Sequence, residues 1–165
     1  MKSKPAGYWK EHLRLKAHPE GGWYKEVYRS ELSIAKECLP ENFSGNRAVA
    51  TSIYFLLEKG NVSRFHRIRS DEIWHFYAGD PVHIHLINVG GELRTLCLGN
   101  EPQKGCYPQQ MVPAGYWFAS ESTGEYSLAG CTVSPGFDFE DFEMADRKEL
   151  SNLYPRHIEI IKKFT

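Results

Sequence analysis

The 165-residue chain is 41% hydrophobic, the size of one domain, and folding into a single core buries roughly 70% of its unfolded surface. Its 20 basic and 21 acidic residues leave a net charge of -1, which excludes a global field drawing it to nucleic acid or an anionic membrane. Four scattered cysteines form no C-x-x-C pair and no dense framework, so reduced thiols are expected. No apolar run reaches about 18 residues and the N-terminus lacks an apolar leader core, so the cytoplasm is the expected compartment.

Residues 6–16, AGYWKEHLRLK, set Tyr8, Trp9, Leu13 and Leu15 among charges and predict an N-terminal helix within 1–17. His18-Pro19 stops it, because a residue before proline is pushed out of the α region. Gly21-Gly22 bends the chain into WYKEVYRS, a strand by its aromatic and branched content. The polar stretch 30–47, broken by Pro40 and Gly45, predicts a long loop of the kind that is mobile or lies over something as a lid.

From residue 48 onward the pattern is almost all strand. Short apolar segments at 48–58, 63–69, 72–78, 82–89, 93–99, 109–113, 116–120 and 126–133 are separated by Gly, Pro, Asn and Asp turn punctuation. With no helices between them, such segments imply an antiparallel sandwich or barrel. After Pro135-Gly136 an acidic arm, FDFEDFEMAD, leads into helical turns, and HIEIIKKF predicts a terminal helix, so 147–165 is read as a C-terminal helical segment. The barrel itself is set at about 18–146, as a single domain.

Within it, GNVSRFHRIRSDEIWHFYAG spaces Gly60, His66, Ile68, Glu72 and Gly79 in a fixed frame. A second run, QQMVPAGYWF, carries the turn Pro113-Ala114-Gly115. This pair of motifs resembles the two motifs of the cupin superfamily, G-x5-H-x-H-x(3,4)-E-x6-G and G-x5-P-x-G-x2-H-x3-N. The chain departs from them at Ile68, Tyr107, Phe118 and Ser122, which stand where the pattern has His, Gly, His and Asn. HPEGGWYKEVYRS, TSIYFLLEKG, VPAGYWFA and CTVSPGFDFEDFEMAD extend the resemblance over about residues 8–146, toward a cupin branch grouped as a domain of unknown function, often counted as the fifth cupin family. The resemblance implies an all-β fold, a single antiparallel jelly-roll β-barrel like that of the dTDP-sugar epimerases, with short helices at both ends.

It also implies that His66 and Glu72 point into the lumen. Strand alternation then places Arg64 and Ile68 inside with His66, and Trp74 and Phe76 inside with Glu72. Ile73, His75 and Tyr77 fall outside, an apolar face that a homodimer would cover. Cupin metal sites resemble a three-His, one-Glu set; with Ile68 and Phe118 in two of those positions no cofactor is expected. If a divalent transition metal is bound, His66 and Glu72 would need His83 or His85, whose face parity leaves open, or His75.

The expected function is a metal-independent pocket for a small anionic ligand, a nucleotide diphosphate or nucleotide sugar. Arg64 would take phosphate, with Trp74, Phe76 and Phe118 as aromatic walls and Trp117 near the mouth. His66 as general base and Glu72 as its orienting carboxylate or acid would suit epimerisation or isomerisation. Two alternatives are a metal-dependent oxygenase or isomerase, and a non-catalytic dimeric module whose acidic arm, 138–143, meets a partner.

Overall fold

A computed structural model describes residues 4–165. A short helix α1 (Ala6–His12) leads into β1 (Lys16–Ala17) and β2 (Trp23–Arg29); the connection 30–50 carries β3 (Ser33–Ile34) and β4 (Arg47–Ala48). Then follow β5 (Thr51–Glu58), β6 (Val62–Arg67), β7 (Asp71–Gly79), β8 (Val82–Ile87) and β9 (Leu93–Leu98). The barrel is completed by β10 (Cys106–Tyr107), β11 (Gln109–Val112), β12 (Trp117–Ser122), β13 (Tyr126–Ser134) and β14 (Glu143–Met144). Two helices, α2 (Arg147–Leu153) and α3 (Ile158–Lys163), end the chain where the sequence predicts one helical segment. Pro155 separates them, since it cannot continue the first helix.

Two six-stranded sheets face each other, in the orders β1-β2-β5-β13-β7-β11 and β10-β9-β8-β12-β6-β14. This is the jelly roll expected from the pattern of short strands. Between the sheets, the inward residues of each strand form a core that includes Phe55, Leu57, Trp74, Ile84, Leu86 and Phe118. A second apolar cluster lies outside the second sheet, where Phe65, Ile87, Trp117 and Ala119 meet Leu150, Ile161 and Phe164 of the terminal helices. A third lies outside the first sheet, where α1 lays Trp9 and Leu13 over Leu56, Tyr126 and Leu128. Among the described residues no helix is long and apolar enough to cross a membrane.

The cysteine expectation needs correction. Cys97 and Cys106 form a disulfide, because β10 returns parallel to β9 and puts the two residues in register with Cα atoms 4.5 Å apart. Nothing in the cysteine spacing signals that return. Cys38 is exposed and Cys131 buried, both as free thiols.

Candidate functional site

The site begins in the HPEGG turn. Gly21 and Gly22 take φ of +113° and +72°, and a Cβ on Gly22 would press to 2.9 Å on the Leu56 carbonyl oxygen, so the tight bend is reserved for glycine. The bend carries His18 and Glu20 in under β6. Arg64 holds it there: its backbone N–H donates to the Glu20 carbonyl at 2.9 Å, and its guanidinium donates to the carbonyls of Pro19 at 2.6 Å and Glu20 at 3.3 Å.

Arg64 is thus exposed and outside the lumen, contrary to the parity expectation. A β-bulge is the reason. His66 pairs with Phe118 and Ser63 with Ser120, so β6 spends three residues against two of β12. The extra residue reverses alternation, turning Ser63 and His66 inward and leaving Arg64 to clamp the turn.

His66 and Glu20 meet in the interior, each under a tenth exposed. His66 Nδ1 lies 2.7 Å from the Arg64 carbonyl oxygen, which only accepts, so Nδ1 carries the proton. Its Nε2 sits 3.2 Å from Glu20 Oε2. The same oxygen lies 3.3 Å from His18 Nδ1, which itself accepts the Glu20 backbone N–H. Ser63 Oγ donates to the other oxygen, Oε1, at 2.8 Å. Burial holds His66 down to about 4 and lowers His18 as well, while it pushes Glu20 up; His18, Ser63 and Arg64 oppose that rise. Neutral imidazoles beside a buried carboxyl are the outcome.

Glu72 reaches the same interior from β7. Burial and then the charge of Glu20 push it up to about 8, opposed by the adjacent Cys131 thiol and Trp74 indole, although Trp74 Nε1 makes no well-formed hydrogen bond. The Cys131 thiol is raised by burial and by Glu72. Neutrality of both partners is what an apolar interior enforces.

These groups open onto a cavity of about 350 Å³. Its apolar wall consists of Tyr24, Ile53, Phe55 and Val133 from the strands and Ile68 just past β6, with Phe137, Phe139 and Phe142 from the segment after β13. That segment is a strap. Asp141 binds Arg47 through two buried hydrogen bonds of 2.7 and 2.8 Å, and Arg69 adds a contact at 3.3 Å. The acidic arm therefore closes the cavity, and the loop before β5, which supplies Arg47, serves as its anchor. Lys16 and Arg29 are the basic residues on the wall, Arg29 also binding Glu26 and the Phe137 carbonyl.

The remaining expected site residues divide by face. Trp74 and Phe118 are buried in the core, and Phe76 packs against it, so all three point inward, yet none lines the cavity. The Phe118 ring instead backs the His66 ring, tilted against it with centroids 4.0 Å apart. Trp117 lies on the opposite face of β12, under the terminal helices with Arg67 over its ring, and is nowhere near the mouth. Arg67 pairs with Glu143. His83 and His85 also face outward: their neighbours Val82, Ile84 and Leu86 fill the core, while His85 packs on Phe164.

The donor set fits a cupin metal poorly. Ile68 and Phe118 offer carbon, His83 and His85 are across the sheet, and His75 faces outward to Thr132. Both nitrogens of His66 are engaged within the protein. Among the described residues no group of three or more His, Cys, Asp or Glu is arranged to hold an ion.

Sequence reasoning missed His18, Glu20 and the strap phenylalanines. The local signal was the pair of glycines after His18-Pro19-Glu20, which dictates a bend sharp enough to present both side chains together. Phe137, Phe139 and Phe142 gave only an alternation in the acidic arm.

A family model described as Cupin superfamily (DUF985) matches residues 7–145. Protein SO0799 from Shewanella oneidensis is 40% identical, with a TM-score of 0.86 over 100% of this chain and 98% of that one. A hypothetical protein from Leishmania major is 35% identical, with a TM-score of 0.90 over 98% and 99%. The uncharacterized protein YML079W of Saccharomyces cerevisiae is 31% identical over 139 residues, 78% of this chain and 69% of that one. Oxalate decarboxylase of Bacillus subtilis, as a variant, shares 12% identity at a TM-score of 0.55 over 90% of this chain and 37% of that one, a likeness of fold alone. On the match over residues 7–145, the chain belongs to the cupin superfamily, in its DUF985 branch.

Proposed function

We propose that the cavity is a metal-independent site for acid–base chemistry on a small anionic metabolite, of the nucleotide diphosphate or nucleotide sugar class. The observation that carries this reading is the convergence of two imidazoles and two buried carboxyls on one aromatic-walled cavity of about 350 Å³, with the protons held where burial puts them. Titratable groups driven this far from their ordinary values concentrate at functional sites. Glu72, protonated at neutral pH, is the acid. The base is the buried cluster of His18, Glu20 and His66, and transfer of a proton on one side of a sugar carbon with return on the other is epimerisation or isomerisation.

The size of the cavity admits one sugar or base ring against the phenylalanines. A diphosphate then lies at the wall near Lys16 and Arg29, which take over the part expected of Arg64. Calorimetric titration with a panel of nucleotides and sugar nucleotides tests the reading. Arg29→Ala should weaken binding of the phosphorylated ligand at least tenfold, and Glu72→Gln should abolish turnover while binding persists. Heats at baseline for the whole panel overturn it, and so does near-stoichiometric Fe, Mn, Ni or Zn in untagged protein.

A homodimer through the outer face of the first sheet accompanies this proposal. Tyr28, Tyr77 and Met111 stand about half exposed on the uncovered part of that face. Light scattering should give twice the monomer mass for the native protein and the monomer mass for Tyr77→Arg; a native monomer removes the idea.

A further inference from the structure

His66, for all its burial in the cavity wall, has no nitrogen left for a ligand. Nδ1 is committed to the Arg64 carbonyl and Nε2 to Glu20 Oε2. His18 differs. Its Nδ1 faces Glu20, and its Nε2, on the opposite side of the ring, has no hydrogen-bond partner among the described residues while the residue lines the cavity. Four aromatic rings fix the imidazole plane: Tyr24 and Phe55 edge-on, with Phe139 and Phe142 from the strap.

Proton counting then sets a condition. The protonated Nδ1 of His66 leaves Nε2 with a lone pair, and the Glu20 N–H donating to His18 Nδ1 leaves that atom as an acceptor. Two lone pairs thus converge on one carboxyl oxygen, an attractive arrangement only if one further proton is shared there. Ser63 satisfies Oε1, which directs the proton to Oε2.

We infer that His18, Glu20 and His66 are a proton relay, in which His18 Nε2 is the atom that exchanges a proton with the ligand. The inference rests on the acid–base reading above and gives each of the three residues its part in it. In the acid direction the N–H bond at His18 Nε2 breaks toward the ligand, an N–H bond forms at His18 Nδ1, and the O–H bond of Glu20 Oε2 breaks. The relay ends with a carboxylate at Glu20 and a neutral, tautomerised His18. The base direction is the reverse, so no imidazolium is needed in an apolar cavity. His66 accepts from Glu20 in the resting state and holds the carboxyl in line, a positioning part. The charged and titratable groups facing this cluster are Lys16, Tyr24, Arg64, Glu72 and Cys131, with Ser63 as donor.

Long-range proton–nitrogen spectra of the imidazoles in the full-length protein, followed from pH 4 to 8 without ligand, test it. His18 should carry its proton on Nε2 and His66 on Nδ1, and one ionisation step with a common midpoint should appear in both rings. In Glu20→Gln, whose amide still donates to a ring nitrogen, both tautomers should persist and the common step vanish. Ser63→Ala, a second variant should the first not fold, removes a group that stabilises the Glu20 carboxylate and should move the step upward equally in both rings. Independent midpoints in the native protein overturn the relay, as does a common step that survives Glu20→Gln or stays put in Ser63→Ala. Solvent exchange of the ring N–H protons in the same spectra checks the outlet: the His18 Nε2 proton, facing the cavity, should exchange with water faster than the His66 Nδ1 proton held on the Arg64 carbonyl, and equal or slower exchange refutes it. No ligand enters these measurements, so a failed binding panel would leave them standing, and their failure would leave ligand binding untouched.

Discussion

Two faces of the same barrel carry buried histidines, and they are closed by opposite means. The cavity that holds His18 and His66 lies under a strap pinned by ions, Arg47 and Arg69 on Asp141, with phenylalanines on its inner side. The outer face that holds His85 lies under helices pinned by an apolar cluster built on Phe65, Ile161 and Phe164. Close packing leaves no room for a ligand, so the helical cover makes a second core and the charged cover makes a chamber. Residue type alone does not separate a site from a scaffold here; the means of closure does.

Breaking the charged cover should give the largest effect. Arg47→Ala leaves Asp141 buried without its main partner, and removal of one member of such a pair costs about 3–5 kcal/mol. The melting temperature should fall by roughly 6–20 degrees, and binding of an apolar dye should rise as Phe137 and Phe142 lose their hold. Phe164→Ala, the matching break in the apolar cover, should cost about 3 kcal/mol, since the terminal helix can settle partly into the gap. It should leave the ring tautomers of His18 and His66 unchanged. Equal dye uptake in both variants would show that the two covers do not differ as argued.

The fold was legible because strand punctuation and the spacing of Gly60, His66, Glu72 and Gly79 are local properties of the chain. The lumen was half legible. Alternation along β7 carried Glu72, Trp74 and Phe76 inward as expected, while the same rule failed on β6, where a bulge reversed Arg64. A bulge is set by what the neighbouring strand and the HPEGG turn require, which periodicity does not encode. His18 and Glu20 stand more than forty positions before His66, and their meeting depends on backbone carbonyls that Arg64 reads, not on any spacing.

pH sharpens the comparison by a smaller amount. Glu72, raised from 4.5 to about 8, keeps its proton in the folded state after the unfolded chain has lost it, so its contribution is full below pH 4.5 and is lost as pH rises to 8. His66, lowered from 6.5 to about 4, works the other way: its contribution is full above 6.5 and is lost as pH falls toward 4. The two slopes oppose each other between 4.5 and 6.5; above that His66 drops out, and Glu72 acts in the same direction as Glu20, which burial also raises. Glu72 should therefore remove about 1.6 kcal/mol of stability from pH 6.5 to 8, its slope falling from about 1.4 kcal/mol per pH unit to half that as pH reaches 8. Glu72→Gln should flatten the decline in urea titrations, and an unchanged slope would place the loss elsewhere.

The smallest effect belongs to the outer face. His85 Nδ1 lies 3.0 Å from Thr95 Oγ1, but its Nε2 is 3.6 Å from Glu121 Oε1, too far for a hydrogen bond, and is buried without a partner. Lys163 instead claims Glu121 at 2.7 and 2.8 Å. His85→Leu removes one satisfied and one unsatisfied nitrogen together and keeps an apolar side chain against Phe164, so the cost at pH 7 should stay within about 1 kcal/mol. Burial lowers His85, with Glu121 opposing, so its contribution is present above its ordinary value of 6.5 and lost as pH falls below it. The leucine variant escapes that loss. Its deficit against the native protein should shrink between pH 7 and pH 5 in chemical denaturation, and a deficit that widens on acidification would mean that the outer histidine is charged and holds Glu121 after all.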